Sequence, residues 1–170
     1  AAALLGLGAA SLFVWMLIPL AQRIGLVDHP GGRKTHEGSV PTIGGLAIAM
    51  AVMISALVTG IAQSVHPAFW AGFILIGLVG TLDDLRDLGH GSKFVAQAVA
   101  AALMIFWADL HLQSLGNLLG AWPLGLGAFA LPLTFIAVVG LVNAINFTDG
   151  ADGLSGGLVF NALFWLCAME

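Results

Sequence analysis

Six apolar runs, at 4–20, 43–62, 67–82, 94–108, 124–142 and 154–169, divide this chain into alternating hydrocarbon-compatible and polar stretches. Most approach the roughly 20 residues that carry a helix across a bilayer. Inside hydrocarbon an unpaired backbone amide is costly, and a helix satisfies its amides within the segment, so each run reads as helical. Charged residues make up 8% of the chain, against about 25% in a soluble domain. The expectation is an all-α, polytopic membrane bundle of six transmembrane helices. The run at 94–108 is the shortest and must borrow residues from either side. Pro19 closes the first run, and Pro132 falls inside the fifth, where it predicts a kink. The net charge of −4 is dispersed and no basic aromatic patch occurs, which argues against a nucleic-acid partner. The single cysteine, Cys167, has no partner for an intrachain disulfide. The chain begins AAALLGLG and ends at Glu170 directly after an apolar run; both ends read as cut, and the first run reads as a resident span.

The basic residues set the orientation. All five, Arg23, Arg33, Lys34, Arg86 and Lys93, lie in the links after the first and third runs. Alternating spans put those links on one side, which the positive-inside rule makes cytoplasmic, with the N-terminus outside. The segment after the fifth run falls on the same side. The expected organisation is one membrane domain over 1–170, with polar cytoplasmic links at 21–42, 83–93 and 143–153. On the opposite side, DLHLQSLGNLLGAWP at 109–123 reads as a small hairpin around Gly116–Asn117. His66 and His111 fall on that side too, and read as interfacial residues.

The three links carry the chemistry. The third reads NAINFTDGADGLSGG over 143–157. Asn143, Asn146, Asp149 and Asp152 recur every three residues, and each step of three turns a helix by about 300°, so the first three share one face. Gly150 and Gly153 weaken the helix there and free backbone groups for a polar ligand. A polar cap with a turn is the plainer reading; carboxylates beside a membrane span are more often functional. The first link reads DHPGGRKTHEGSVPTIGG over 28–45. Pro30, Gly31 and Gly32 make a non-helical turn, after which Arg33, Lys34 and His36 suit an anionic ligand such as phosphate. The same charges could simply hold orientation. The second link, GTLDDLRDLGHGSK over 80–93, opens with the adjacent acids Asp83 and Asp84. Neighbours on a helix point about 100° apart, so the two do not chelate one ion alone; one facing a site while the other orients a neighbour is more plausible, against helix capping or an Asp–Arg86 pair.

Acids with amide oxygens suit Mg²⁺, a hard cation that works with phosphates, and the bases suit the phosphates themselves. No Walker A loop, GxGxxG, zinc spacing or Ser-His-Asp order is present. The residues alone indicate a membrane enzyme that handles a phosphorylated substrate at the cytoplasmic interface. A transporter half would carry its acids near mid-membrane, whereas these sit at span ends. A non-catalytic assembly half remains the third reading.

Taken in order, DHPGGRKTHEGSVPTIGG, DDLRD and NAINFTDGADGLSGG resemble the polyprenyl-phosphate N-acetylhexosamine-1-phosphate transferases. The likeness is strongest to the undecaprenyl-phosphate N-acetylglucosaminyl and teichoic-acid linkage members, and weaker to the phospho-MurNAc-pentapeptide transferases. It covers the chain as the first half of enzymes about twice as long, with ten or eleven spans. The resemblance implies transfer of a sugar 1-phosphate from a UDP-sugar to undecaprenyl phosphate, with release of UMP, in the bacterial cytoplasmic membrane for cell-envelope polysaccharide synthesis. It implies Mg²⁺, with Mn²⁺ as a substitute, bound by Asn146 and by an Asp of the second half. It further implies Asp149 and Asp152 in the nucleotide pocket with Asn143 beside them. Asp83 and Asp84 would lie at the reacting phosphates, and Arg33, Lys34 and His36 at phosphate or lipid headgroup. Membrane lipid is the surrounding partner, a homodimer is compatible, and the isolated chain is expected to be incomplete as an enzyme. A phosphate monoester with its second pKa near 6 is already about nine-tenths dianionic near pH 7, so the acids are expected to act electrostatically rather than as a base.

The charge pattern predicts an accessibility pattern. In a Cys167→Ser background, single cysteines at Gly32, Gly89 and Gly150 should react with an impermeant thiol reagent only from the cytoplasmic side. One at Gly116 should react only from the other. Labelling of the Gly32 and Gly116 positions from one side would refute the topology.

Overall fold

The computed structural model describes residues 2–28, 40–118, 120, 122–148 and 153–169. Its helices are α1 (Ala2–Ile24), α2 (Gly44–Val58), α3 (Pro67–Arg86), α4 (His90–Ala102), α5 (Ala130–Thr148) and α6 (Leu154–Ala168). One short antiparallel pair, β1 (Val27–Asp28) with β2 (Val40–Pro41), lies between α1 and α2. The chain is therefore all-helical in character, as its apolar runs require. Three segments, Ala3–Ile24, Pro67–Arg86 and Gly127–Thr148, are long and apolar enough to cross a membrane. Large side chains such as Leu7, Leu78, Leu141 and Phe160 are turned outward, as a lipid-facing surface demands.

The helix ends correct several sequence expectations. The second run does not form one 20-residue helix. Gly60 takes φ 75°, a left-handed conformation that halts α2 after 15 residues, and a 3-10 turn at Ile61–Gln63 follows. At about 1.5 Å per residue, α2 is about 22 Å long, short of a full hydrocarbon core. Pro19, at the end of the first apolar run, lies inside α1, which continues to Ile24. Pro132 lies in the first turn of α5, where no intrahelical partner awaits its missing N–H, so the expected kink has no cause. The fourth run borrows from its N-terminal side: α4 begins at His90 and passes into a wide π turn at Leu103–Trp107. The hairpin expected near 109–123 has its arms at 113–116 and 124–126, bridged at Ser114 and Gly125. The Leu115 and Leu124 amides donate across it to Leu124 and Gly116 carbonyls, each at 2.9 Å.

Two compact units emerge, Ala1–Asp109 and Leu110–Glu170. In the first, α1 packs on α2, α2 on α3 and α3 on α4. Small residues let these backbones approach: Ala47, Ala51 and Ala56 are buried on α2, and Ala96, Ala100 and Ala101 on α4. Gly72 of α3 faces Ala100, and an added Cβ would sit 3.5 Å from the Ala100 Cβ. A cluster of Ala21, Leu26 and Ile43, with Leu17 against it, fixes the exit of α1 to the entry of α2. In the second unit α5 packs on α6, and the Leu112 amide donates to Thr134 Oγ1 at 2.8 Å, tying the hairpin segment to α5.

The start of α3 is also specified locally. Pro67 stands at its first turn, and the Ala68 amide donates to His66 Nδ1 at 3.2 Å. The His66 ring meets Trp107 edge to face at 6.0 Å. Trp70 Nε1 donates to the Ala62 carbonyl at 3.2 Å. Aromatic residues of this kind favour membrane interfaces. His66 is thus a helix cap within an aromatic cluster, about 26 Å along α3 from Asp83.

The α3–α4 seam predicts a graded response at Gly72. Gly72→Ala should leave thermal unfolding in detergent near that of the unmodified chain, because its Cβ makes ordinary contact. Gly72→Leu should overpack the seam, destabilise by about 1–3 kcal/mol, and lower the unfolding temperature. Equal unfolding of the two variants would contradict the close approach.

Candidate functional site at the polar helix ends

The paired acids fall on the last turn of α3. The helix ends at Arg86, and Asp87 turns the chain with φ 48°, its amide donating to the Asp83 carbonyl at 2.7 Å. The Asp83 side chain then closes the turn. Its Oδ1 accepts the Leu88 amide at 2.9 Å, and its Oδ2 lies 2.6 Å from Lys93 Nζ on α4. The Lys93 and Asp83 side chains are 26% and 24% exposed, respectively. A carboxylate at a helix C-terminus faces the negative end of the macrodipole, and the Lys93 ammonium offsets that repulsion. The cation beside Asp83 is therefore Lys93, ten residues on, rather than Arg86. Asp84, one step around the helix, is exposed.

The first link enters this unit through a closed neck. Val27 pairs with Pro41 and Asp28 with Val40, and the Thr42 amide donates to the Leu26 carbonyl at 3.1 Å. Asp28 and Val40, which flank segment 29–39, are thereby held side by side. Arg33, Lys34 and His36 lie on that segment, outside the described residues. The link between α2 and α3 is short and the helices pack together, so they run antiparallel and bring the neck and the α3–α4 turn to one end of the unit. Between them an apolar groove of about 450 Å³ runs from Phe73 and Ile54 to Leu46 and Thr81. Thr81 is three residues, or about one turn, from Asp84.

In the second unit, Asn143 and Asn146 both belong to α5, one turn apart on neighbouring positions of its face. They differ in engagement. Asn143 is half-buried, and its Nδ2 donates to the Val139 carbonyl at 2.8 Å. Asn146 is exposed. Thr148 Oγ1 donates to the Ile145 carbonyl at 2.7 Å as α5 ends. Gly153, at φ 78°, stands at the start of α6, which supports the reading that glycine breaks the helix here. Asp149 and Asp152 lie outside the described residues.

Among the described residues no three His, Cys, Asp or Glu side chains gather as a metal cage. Mg²⁺ does not require one, since it is commonly held by one or two protein oxygens together with substrate phosphates. Asn146 offers an exposed amide oxygen, whereas both Asp83 oxygens are engaged. An exposed amide oxygen of this kind fits a cation shared with phosphates.

Lys93 is the polar residue that sequence reading missed, having counted it only as a marker of orientation. Its pairing with Asp83 spans a turn and the start of a new helix, so neither the three- nor the four-residue spacing of a helix face could reveal it.

The sequence profile of glycosyl transferase family 4 matches residues 66–170. The chain belongs to this family. The matched region carries Asp83, Asp84, Lys93, Asn143 and Asn146. Among individual relatives, the undecaprenyl-phosphate α-N-acetylglucosaminyl 1-phosphate transferase of Yersinia pestis is 37% identical over 146 residues, covering 86% of this chain and 40% of the relative. Its counterpart in Salmonella typhi is 38% identical over 151 residues, covering 87% and 40%. A probable undecaprenyl-phosphate N-acetylglucosaminyl 1-phosphate transferase of Bacillus subtilis is 36% identical over 163 residues, covering 93% and 45%. The matched part of the chain covers only 40–45% of the length of these curated relatives, which are about twice as long as the chain. No solved structure matches it.

Proposed function

We propose that the protein carrying this chain transfers N-acetylglucosamine 1-phosphate from UDP-N-acetylglucosamine to undecaprenyl phosphate at the cytoplasmic face of a bacterial inner membrane. The observation that carries the reading is 36% identity to a probable transferase of that name over 93% of this chain. In this family member, a phosphate oxygen of the lipid attacks the β-phosphorus of the nucleotide sugar. The Pβ–O bond to the α-phosphate breaks, and UMP leaves with the bonding electrons. Both reactants are anionic, so the barrier is set largely by charge repulsion and positioning.

The chain's residues divide that work. Arg33, Lys34 and His36, between the paired Asp28 and Val40, supply positive charge for phosphate or headgroup. Asn146 supplies an oxygen ligand for Mg²⁺, whose bound charge would neutralise the diphosphate. Asp149, Asp152 and Asn143 serve the nucleotide. Asp84 acts electrostatically at the end of α3. The apolar groove reaching Thr81 keeps a hydrocarbon environment close to that polar end.

Membranes containing the full-length protein should form undecaprenyl-diphosphate-linked N-acetylglucosamine from UDP-N-acetylglucosamine, and EDTA should stop the reaction. Formation of product only from UDP-MurNAc-pentapeptide would replace this substrate assignment.

The cation and the acid separate in two further variants. Asn146→Ala should raise the Mg²⁺ concentration for half-maximal rate by about tenfold. Asp84→Asn should lose rate at every pH, because an already ionised acceptor needs no base. Recovery of Asp84→Asn toward the normal rate above pH 8 would overturn its electrostatic role.

A further inference from the structure

Asp83 makes three contacts at the α3–α4 turn, two through its carboxylate and one through its backbone carbonyl. One carboxylate oxygen holds the Leu88 amide at 2.9 Å and the other holds Lys93 Nζ at 2.6 Å. Its backbone carbonyl takes the Asp87 amide at 2.7 Å. Three bonds from one residue thus fix where α3 stops, how the chain turns and where the side chain of the third residue after His90 points. Each carboxylate oxygen of Asp83 thus already holds one donor, a backbone amide on one and an ammonium on the other. What the arrangement presents is the ammonium it holds. Lysine is a point charge on a long, rotatable stem, and freezing it costs side-chain entropy that an ion pair at fixed distance offsets. An oriented cation at a partly exposed helix end serves an anionic substrate better than a freely moving one, because no reorganisation is needed when charge develops.

We propose that Asp83 is a positioning residue: it acts through Lys93, holding the ammonium in place for an anionic substrate group, and does not itself touch the reacting atoms. The inference rests on the transferase reading above and divides the labour of the two adjacent acids. Its chemical content is specific. The negative charge of Asp83 matters for where Lys93 sits, so removing either partner removes the same thing.

The experiment is a double-variant cycle in the full-length enzyme, comparing Asp83→Asn, Lys93→Met and the pair together, with kcat and KM measured for UDP-N-acetylglucosamine across pH. Asp83→Asn keeps an oxygen for the Leu88 amide and loses only the ion pair. Each single variant should lower kcat on the order of 10- to 100-fold, and the double variant should be no worse than the poorer single. The shapes of the pH profiles should be unchanged. Asp83→Glu, which retains a carboxylate within reach of Lys93, should recover most of the rate; it also decides the matter if Asp83→Asn fails to fold. A separate readout follows the lysine itself: ¹³C-dimethyl lysine NMR should show the Lys93 signal, assigned from Lys93→Arg, moving in Asp83→Asn. Multiplying losses in the double variant, a Glu variant as poor as Asn, or an unmoved Lys93 signal would each overturn the positioning role while leaving the transferase reading in place. An inactive unmodified enzyme would overturn that reading, and the inference with it.

Discussion

Hydrocarbon offers no hydrogen bond to an unpaired amide, and that constraint arranges the rest of this chain. Each apolar run closes its own backbone bonds as a helix, so polar side chains that must meet water or substrate gather at helix ends. The end of α3 carries Asp83, Asp84 and Asp87, and the last turns of α5 carry Asn143 and Asn146. The α3 end opposite its acids carries His66, Trp70 and, across the seam, Trp107. A helix of 20 residues is about as long as the hydrocarbon core is thick, so its two ends meet chemically different surroundings.

Packing between the helices follows from the same solvent. Lipid is as apolar as leucine, so burying large side chains between helices gains little, and close backbone approach takes over. The alanines of α2 and α4 and the bare Cα of Gly72 supply it. The residues with most surface face outward, the reverse of a water-soluble core. A rigid α3–α4 seam also has a chemical use. It fixes the base from which Asp83 reaches Lys93, so a contact between small residues in the membrane supports the geometry of charges at its edge.

Much of this was legible from residue order. The six runs became six helices among the described residues, Gly153 broke the chain between α5 and α6, and Gly116 lay in a bridged hairpin. Other features were not. The early stop of α2 depends on Gly60 adopting a left-handed conformation, which a glycine permits without requiring. Pro132 looked like an interior kink only because the apolar run begins before the helix does; the 3-10 turn at Gly127–Phe129 takes up the difference. The β1–β2 neck has two residues per strand, too few for any alternation to show.

The sequence by itself determined the solvent, the helices and the family. Apolar run length and the placement of five basic residues are one-dimensional properties, and three polar motifs in fixed order carry a family likeness without coordinates. The tertiary structure decided that Asp83 is paired with Lys93. Asp83 and Asp84 are indistinguishable as letters, and both stand at the end of one helix. They part because adjacent side chains diverge by about 100°, and only the return of α4 along α3 puts an ammonium on the Asp83 side. That pairing depends on a turn and an interhelical seam, which exist only once the chain has folded.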